Sequence, residues 1–461
     1  MFDKEVYIAR RKRLKEQVGN GMILFLGNEE SSMNYRDNLY PFRQDSTFLY
    51  FFGIDRPGLV ALIDVDNDKD ILFGDDFTTE EMVWTGYKEP LHLIAGRVGI
   101  TEIKKKNQLE SEISEAILKK RKIHFLPPYR PEHFTTIHHL LAIDPMIMPQ
   151  LASVDLIRAI VDQRSFKSPE ELEEITKAVN TTIDMQLYAM KTAKEGMTEA
   201  QIAGALQGIA IAAGGNLSFP TILTMQGQIL HNGYSYAILK EGNMVLCDCG
   251  AETEMHYAGD LTRTFPVAKK LTSIQQDIYS IVLNAHQSAV SLLKPGILFR
   301  DVHLFACEKL TEGLQQLGLM RGDIKESVEM GAHALFFPCG LGHMMGLDTH
   351  DMENLGEQYV GYNDSIKKST QFGLKSLRLG KPLEQGFVIT VEPGLYFNPD
   401  LMDEWAADKH LAEFINYEKL AGFRNVNGFR VEEDFLITSG GSLLLGKPLA
   451  KTAEAIEELR A

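Results

Sequence analysis

The sequence predicts an α+β protein of two domains, a smaller α/β domain over residues 1–165 and a larger α+β domain over residues 166–461. The first observation is that short apolar runs alternate with polar helical stretches in the first third of the chain, which is typical of an α/β layer. The second is a series of strand-like segments separated by a pair of helical patterns after residue 215. The third is the length, because 461 residues exceed the usual size of one domain.

Short apolar runs bounded by Gly or Asp predict the buried strands of the first domain. A Lys- and Glu-rich stretch over residues 108–122 predicts a helix between two of them. The prolines at positions 127, 128 and 131 end this alternation. The predicted strands are residues 21–27, 59–64, 70–74 and 123–126.

Helix start signals mark the beginning of the second domain. A short helix over residues 155–162 is followed by a polar connector over residues 163–167. Ser168, Pro169 and Glu171 then supply an N-cap, a proline at the first helical position and an acid at the third, which predicts a helix running to about residue 194. Thr198 and Gln201 form a second capping box, which predicts another helix.

Beyond Gly215 the pattern changes to strands with two intervening helices. This arrangement is typical of helices packed on a curved sheet. The predicted strands are residues 219–225, 244–249, 260–267, 387–391 and 428–438, and the predicted helices are residues 273–293 and 299–317.

The composition excludes several classes of protein. With 47 Lys and Arg against 63 Asp and Glu, the net charge is −16, which disfavours binding to nucleic acid or to anionic membranes. No apolar run approaches the roughly 20 residues of a spanning helix, and the charged N-terminus lacks the apolar region of a secretion signal. Four cysteines are too few for a disulfide framework and suit a reducing compartment. We therefore expect a cytoplasmic protein.

Four acids occupy strand-like segments where apolar residues are expected. Asp248 lies within an apolar strand, Asp260 heads the next one, Glu392 ends a third before a Pro-Gly turn, and Glu432 alternates with apolar residues. A buried carboxylate is unfavourable unless a cation compensates it, and two divalent ions could serve all four. Each acid alone has a structural interpretation, as a turn cap or an arginine partner. Their joint occurrence favours metal binding.

The glycine-rich segment around His343 offers a nitrogen ligand. His343 and His350 are seven residues apart, so both can face one cavity only if the chain turns between them, which Gly346 permits. By composition alone, His343 is equally typical of a core histidine. The spacing of Cys247 and Cys249 is one residue short of a zinc knuckle, so we interpret these thiols as small buried apolar groups.

These segments together resemble the ordered motifs of the aminopeptidase P and prolidase family of metallopeptidases, whose catalytic domain has the "pita-bread" fold. The resemblance rests on His231, Asp248 and residues 257–267, 340–351, 390–396 and 428–432, and residues 40–53 resemble the N-terminal domain of these enzymes. It implies a C-terminal pita-bread catalytic domain preceded by a smaller α/β domain.

The resemblance also implies roles for individual residues. Asp248, Asp260, His343, Glu392 and Glu432 would hold two divalent ions around a bridging hydroxide, and Glu392 would also carry a proton from the nucleophile to the leaving nitrogen. His231 and His350 would line the substrate pocket, with His350 donating a hydrogen bond to the developing oxyanion. Arg430 would act either on substrate or by pairing with a ligand carboxylate.

The implied activity is that of an Xaa-Pro aminopeptidase, which removes an N-terminal residue from peptides with proline second. An Xaa-Pro dipeptidase (prolidase) is the alternative, and a relative that only binds partners is a third. The oxygen-rich ligand set suits Mn²⁺, with Zn²⁺, Co²⁺ or Fe²⁺ as other candidates. A homodimer or homotetramer is expected from the resemblance.

Two features of the sequence depart from or add to the family pattern. Cys339 stands where the family usually has the first histidine of His-Gly-x-x-His, which affects the predicted strictness of proline recognition rather than the metal ligands. The 40-residue separation between Glu392 and Glu432 contains residues 398–427, which we interpret either as a structural connection or as a flap that restricts substrate length.

Overall fold

The computed structural model describes all 461 residues and divides into two compact units. The first comprises residues 1–164 with residues 354–359, and the second comprises residues 165–353 with residues 360–461. No helix has the length and apolar character that crossing a bilayer requires.

The first unit contains a five-stranded mixed sheet in the order β4-β3-β2-β1-β5. The central strand β2 is antiparallel to both of its neighbours, β1 and β3, and each outer strand lies parallel to its neighbour. One face packs apolar side chains from these strands against Leu109, Ile113 and Ala116 of a helix. The strands are β1 Met22–Leu26, β2 Val60–Asp64, β3 Lys69–Phe73, β4 Glu102–Lys104 and β5 Ile123–His124.

Seven α-helices accompany this sheet, so the predicted α/β layer is present. Most are short, and an Asp or Thr side chain caps two of them at the N-terminus. The helices are α1 Lys4–Val18, α2 Ser46–Phe52, α3 Thr79–Thr85, α4 Leu91–Arg97, α5 Leu109–Leu118, α6 Pro131–Leu141 and α7 Val154–Arg164.

The second unit begins with the two helices that the capping boxes predict. The Ser168 side chain accepts from the Glu171 backbone and Thr198 accepts from Gln201, so both caps are confirmed. The helices of this unit are α8 Pro169–Thr192, α9 Glu199–Ala212, α10 Ser273–Ser291, α11 Phe299–Gln316, α12 Ile324–Glu329, α13 Glu357–Val360, α14 Pro399–Ala407, α15 Tyr417–Leu420 and α16 Ala453–Arg460, with α13 straddling the division between the units.

The strands of the second unit form small antiparallel sheets, and all of these except β11-β14-β15 share one apolar core with α8 to α11. The hydrogen-bonded groups are β10-β8-β7, β11-β14-β15, β12-β13 and β6-β9. The strands are β6 Asn216–Leu217, β7 Ile222–Thr224, β8 Met244–Cys249, β9 Ala251–Glu252, β10 Leu261–Pro266, β11 Val388–Val391, β12 Gly394–Tyr396, β13 Gly428–Arg430, β14 Glu433–Ile437 and β15 Ser442–Leu444.

Two expectations about this unit need correction. The strand predicted over residues 428–438 is two strands, because the backbone N–H groups of Val431 and Glu432 donate to Pro393 and Thr262 instead of continuing one ladder. Residues 398–427 are not a free flap, since Met402, Trp405 and Leu420 pack into the apolar core. The chain between the two predicted glutamate ligands is therefore a packed part of the domain.

Candidate metal centre

Strand register brings Asp248 and Asp260 to the same face of one sheet. Strands β8 and β10 are antiparallel, with Asp248 opposite Thr262. Asp260 lies two residues before Thr262 and is therefore the diagonal same-face neighbour of Asp248. The Asp260 backbone N–H donates to Oδ2 of Asp434 at 3.1 Å, which fixes the chain at the head of β10.

Glu392 and Glu432 lie where two antiparallel ladders meet. Val391 pairs with Glu433 in the β11–β14 ladder, and Gly394 pairs with Arg430 in the β12–β13 ladder. The two glutamates occupy the break between these ladders. The Glu432 backbone N–H donates to the Thr262 carbonyl at 3.1 Å, and the Thr262 hydroxyl donates to Oε2 of Glu432 at 2.6 Å. Glu432 is thereby tied to the strand that carries Asp260.

His343 joins these acids from a loop that lies beside β11, where Met344 bridges to Ile389. The Thr390 backbone N–H donates to the His343 carbonyl at 3.0 Å. The Nε2 atom of His343 lies 3.5 Å from Oδ2 of Asp260 and 3.6 Å from Oε1 of Glu392. Its Nδ1 lies 3.1 Å from the Met344 carbonyl, which assigns the ring hydrogen to Nδ1 and leaves the Nε2 lone pair directed at the acids.

The donor set and its electrostatics fit divalent cations. One ligand atom each from Asp260, His343 and Glu432 lies within 4.8 Å of the others. Oδ1 of Asp260 and Oδ1 of Asp248 are buried without a hydrogen-bond partner. Burial raises the pKa of Asp260, Glu432 and Glu392, and in each case the Asp248 carboxylate raises it further. Cations between these oxygens would supply the missing positive charge and use the free lone pairs.

Arg430 is held entirely by groups of this site. Its guanidinium is buried and donates to Oδ2 of Asp248 at 2.5 Å, to the Tyr396 hydroxyl at 2.8 Å and to the Thr262 hydroxyl at 3.1 Å. Of the two roles considered from the sequence, the carboxylate pair is the contact that the structure contains. Arg430 therefore fixes the orientation of the Asp248 carboxylate.

His350 lies beside His343, although seven residues separate them. The two ring centroids are 4.3 Å apart, with an angle of 75° between the ring planes. The chain bends closely at Gly346, where a Cβ would lie only 2.6 Å from Oδ2 of Asp351. Nδ1 of His350 lies 2.7 Å from Oε2 of Glu353, and burial lowers the pKa of His350 to about 4.

His231 is an exposed loop residue between β7 and β8 that lies within electrostatic reach of the centre. Partial burial lowers its pKa, and the positive charge of Arg430 lowers it further. The negative charge of Asp248 acts in the opposite direction. The structure thus brings His231 to the same region as the acids, at its solvent-exposed side.

Several residues of this region were not predicted from the sequence. Asp434 is an acid in an apolar strand, the same signal that marks Asp248, but the sequence prediction for this strand includes only Glu432. Tyr396 and Thr262 carry no distinctive signal because they act through hydrogen bonds to Arg430 and Glu432. Arg378 donates to Oε1 of Glu353 at 2.6 Å, and no pattern in the sequence distinguishes it from a surface arginine.

Cys339 also reaches this region. Its Sγ lies 4.0 Å from the Tyr396 hydroxyl, which in turn accepts from Arg430. Burial raises the pKa of Cys339 to about 12, and the nearby Glu392 carboxylate adds to this effect. The residue is therefore a neutral thiol with weak hydrogen-bonding capacity.

Comparison with known proteins agrees with these features. Residues 173–439 match the model of metallopeptidase family M24, and residues 7–124 match that of the aminopeptidase P N-terminal domain. The chain is 30% identical to a Homo sapiens Xaa-Pro dipeptidase over 461 residues, which covers 98% of this chain and 91% of that protein. It is also 30% identical over 443 residues to a Fusarium vanettenii protein named as a probable Xaa-Pro aminopeptidase, covering 93% of this chain and 89% of that protein.

Solved structures show the same architecture. The low-pH form of Escherichia coli aminopeptidase P superposes with a TM-score of 0.82 at 27% identity, covering 100% of this chain and 98% of that one. A zinc-substituted E. coli aminopeptidase P in complex with product gives a TM-score of 0.81 at 27% identity, with coverage of 99% and 98%. The predicted fold class, an α/β N-terminal domain followed by a pita-bread catalytic domain, is confirmed. With its acid- and imidazole-lined cluster for divalent metals, this chain belongs to metallopeptidase family M24 and is a peptidase of the Xaa-Pro aminopeptidase and dipeptidase group.

Proposed function

We propose that this protein is an Xaa-Pro aminopeptidase that uses two divalent ions held by Asp248, Asp260, His343, Glu392 and Glu432. The observation that carries the proposal is the convergence of these side chains from widely separated segments of the chain. Buried carboxylate oxygens without partners and an imidazole lone pair directed at the acids support the ligand assignment.

The ions, when bound, supply the positive charge that generates a nucleophile from water near neutral pH and polarises the scissile carbonyl. The protein supplies orientation and proton transfer. Arg430 and Thr262 hold the Asp248 and Glu432 carboxylates in fixed positions through charge-assisted hydrogen bonds. These contacts limit the reorganisation that would otherwise accompany catalysis.

Glu392 is suited to the proton-transfer step. Its side chain is 20% exposed, against 6% for Asp260, so it is the more accessible of these two acids. Burial raises its pKa, which brings the carboxylate closer to a value useful for accepting and returning a proton. The proton must reach the proline nitrogen, because the tetrahedral intermediate expels an amine only when that nitrogen is protonated.

The two pocket histidines are proposed to contact the substrate. His231 presents its ring on the solvent-exposed side, where an incoming peptide arrives. His350 is proposed to stabilise the developing oxyanion. Its Nδ1 is engaged by Glu353, so the hydrogen bond to the oxyanion must come from Nε2.

Xaa-Pro dipeptidase activity is the second candidate, and one observation favours it. The positive charge of Arg378 acts to lower the pKa of His231, His350 and Glu392, so this guanidinium lies near the site. Its side chain is 29% exposed and thus accessible. An arginine placed there could bind the free carboxylate of the proline in a dipeptide. In a longer peptide the free carboxylate belongs to a later residue and lies further away.

Kinetics on two peptide lengths test both candidates. The metal-free enzyme, reconstituted with Mn²⁺, is offered an Xaa-Pro dipeptide and an Xaa-Pro-Xaa tripeptide. We expect turnover of the tripeptide that disappears with a chelator and returns with Mn²⁺. Cleavage of the dipeptide alone would establish the second candidate, and failure to cleave either would contradict both. Xaa-Ala peptides serve as the control for proline specificity, which Cys339 is expected to relax.

The remaining parts of the proposal concern the metal, the assembly and the compartment. We propose Mn²⁺ as the native metal because four carboxylates and one imidazole form a hard, oxygen-rich donor set. Four cysteine side chains that are all free suit a reducing cytoplasm. A homodimer or homotetramer that binds neither nucleic acid nor membrane completes the proposal, with the net charge of −16 opposing both of those partners. Metal analysis and light scattering of the purified protein test these points.

A further inference from the structure

A second group of potential metal ligands lies in the catalytic unit, outside the site described above. His303 and Cys307 are one turn apart on α11, so both side chains project from the same face of the helix. His333 joins them from the single helical turn Ala332–Leu335. One ligand atom from each residue lies within 4.8 Å of the others, and all three residues are buried.

Hydrogen bonding accounts for the histidines of this group only in part: Nε2 of His303 faces the Cys307 thiol, and the Val328 backbone acts on His333. Nδ1 of His303 and both ring nitrogens of His333 are buried without a partner of good geometry. By contrast, the buried His124 has both ring nitrogens within hydrogen-bond distance of oxygen atoms, of Ser153 and Asn20. Unpartnered imidazole nitrogens in an apolar interior are unfavourable, and a cation between them would use their lone pairs.

The geometry matches a thiolate–imidazole site. Nε2 of His303 lies 3.5 Å from Sγ of Cys307. Ligands at about 2.0–2.1 Å (nitrogen) and 2.3 Å (sulfur) from a tetrahedral zinc ion are separated by roughly 3.5 Å. We propose that His303, Cys307 and His333 form a metal site for a borderline-soft divalent cation of the Zn²⁺ class, separate from the catalytic centre.

The protonation states of the free group are consistent with this site. Burial lowers the pKa of His303 to about 3 and of His333 to about 4, so both rings are neutral and available as ligands at neutral pH. Burial raises the pKa of Cys307, and the neighbouring Cys339 adds to this effect. A metal ion must therefore displace the thiol proton, and binding releases one proton to solvent for each thiolate that coordinates.

Cys339 acts electrostatically on Cys307, and we include it in the proposal as a candidate for a fourth ligand. A second thiolate would balance the charge of a divalent ion beside the first. On its other side, Cys339 contacts the Tyr396 hydroxyl that accepts from Arg430. The cysteine that replaces the usual family histidine would then serve the second site.

Cobalt substitution tests the proposal because the proposed catalytic ligands include no sulfur. The full-length protein is freed of metal, loaded with Co²⁺ and followed by absorption, with bound metal counted per chain. We expect a near-ultraviolet thiolate-to-cobalt charge-transfer band and one equivalent of bound metal beyond the catalytic pair. Cobalt bound at the catalytic site with no such band in the wild-type protein overturns the proposal.

Two cysteine variants identify the thiol. Cys307→Ser should abolish the band and remove the extra equivalent, whereas Cys249→Ser should leave both unchanged. Cys249 is the matched control because it is as buried as Cys307. Its Sγ lies 3.9 Å from that of Cys247, so these two thiols are the alternative source of a thiolate-to-cobalt band. Loss of the band in Cys249→Ser, or its survival in a folded Cys307→Ser, overturns the assignment. If Cys307→Ser does not fold, His333→Gln provides the same test through loss of the extra equivalent.

Discussion

Nδ1 of His350 lies 2.7 Å from Oε2 of Glu353, and Oε1 of the same carboxylate accepts from Arg378 at 2.6 Å. An ionised carboxylate only accepts hydrogen bonds, so the hydrogen on His350 resides at Nδ1. Nε2 is then an acceptor in the neutral ring, and it becomes a donor only when the ring takes up a second proton. The Glu353 charge favours that second proton, whereas burial opposes it.

Glu353→Gln should therefore lower kcat. Removing the carboxylate charge makes the doubly protonated ring of His350 harder to form, and this weakens the proposed hydrogen bond to the oxyanion. We expect a decrease of roughly 10- to 100-fold with little change in KM, because the contact is made in the transition state. Steady-state kinetics on an Xaa-Pro peptide measure it, with the exposed Glu418→Gln as control. An unchanged or increased kcat would show that a neutral ring with hydrogen on Nε2 is the donor.

Arg378→Gln should change peptide-length preference. If the guanidinium binds the free carboxylate of an Xaa-Pro dipeptide, its removal should raise KM for the dipeptide by roughly 10-fold or more, the loss of one charge-assisted contact. KM for a tripeptide should change much less. Arg13→Gln, which removes the same charge from an exposed pair in the first unit, is the control. Equal effects on both peptides would remove the argument for dipeptide recognition.

Lys167→Met should destabilise the catalytic unit strongly. Lys167 donates to Oδ2 of Asp351 at 2.8 Å, and each side chain is only 1% exposed. Removing the cation leaves a buried carboxylate without this partner, which costs about 3–5 kcal/mol in comparable buried pairs. Urea unfolding followed by circular dichroism measures the loss.

The double variant Lys167→Met with Asp351→Leu is the matched comparison. Because it removes both charges, it should be more stable than Lys167→Met alone. Equal stabilities of the single and double variants would show that the buried carboxylate is not the source of the loss.

The contribution of the Asp64–Arg121 pair should depend on pH. Burial opposes ionisation of Asp64 and is the largest single effect, but the hydrogen bonds from Arg121 (Nη1 to Oδ2, 2.9 Å) and Asn67 together outweigh it, so the pKa of Asp64 is lowered from 3.8. A lowered folded-state pKa gives stability that is present above the unfolded value and lost as pH falls through the folded value. The stability difference between wild type and Arg121→Met should thus be constant from pH 7 to about 5 and shrink below about 4. A difference that grows on acidification would contradict this assignment.

Much of the fold could be predicted from local patterns. The capping boxes at Ser168 and Thr198 involve residues three apart, so the sequence contains all the information that the helix start uses. The apolar strand containing Asp248 was equally clear. The break at Glu432 was not, because it depends on the Thr262 carbonyl, a partner 170 residues away that no local pattern reveals.

The candidate site likewise contains residues that the local sequence indicates and residues that only the structure reveals. The proposed ligands are acids or histidines in unusual places, so composition and family resemblance both indicate them. Arg378 and Tyr396 lie in ordinary local sequence, and only their hydrogen bonds to residues far along the chain relate them to the site. Asp434 had a usable signal, because an acid in the apolar strand β14 needs a partner, and that partner is the Asp260 backbone.

The wide spacing of the proposed ligands has a consequence during synthesis. The ribosome adds Asp248 long before Glu432, and at about 5–20 residues per second the intervening 184 residues take roughly 10–40 s. During that interval the nascent domain contains several acids that repel one another, because the segment that carries Glu432 has not yet been made. Metal capture and final compaction of this domain therefore follow the synthesis of Glu432, which is made after the other four proposed ligands.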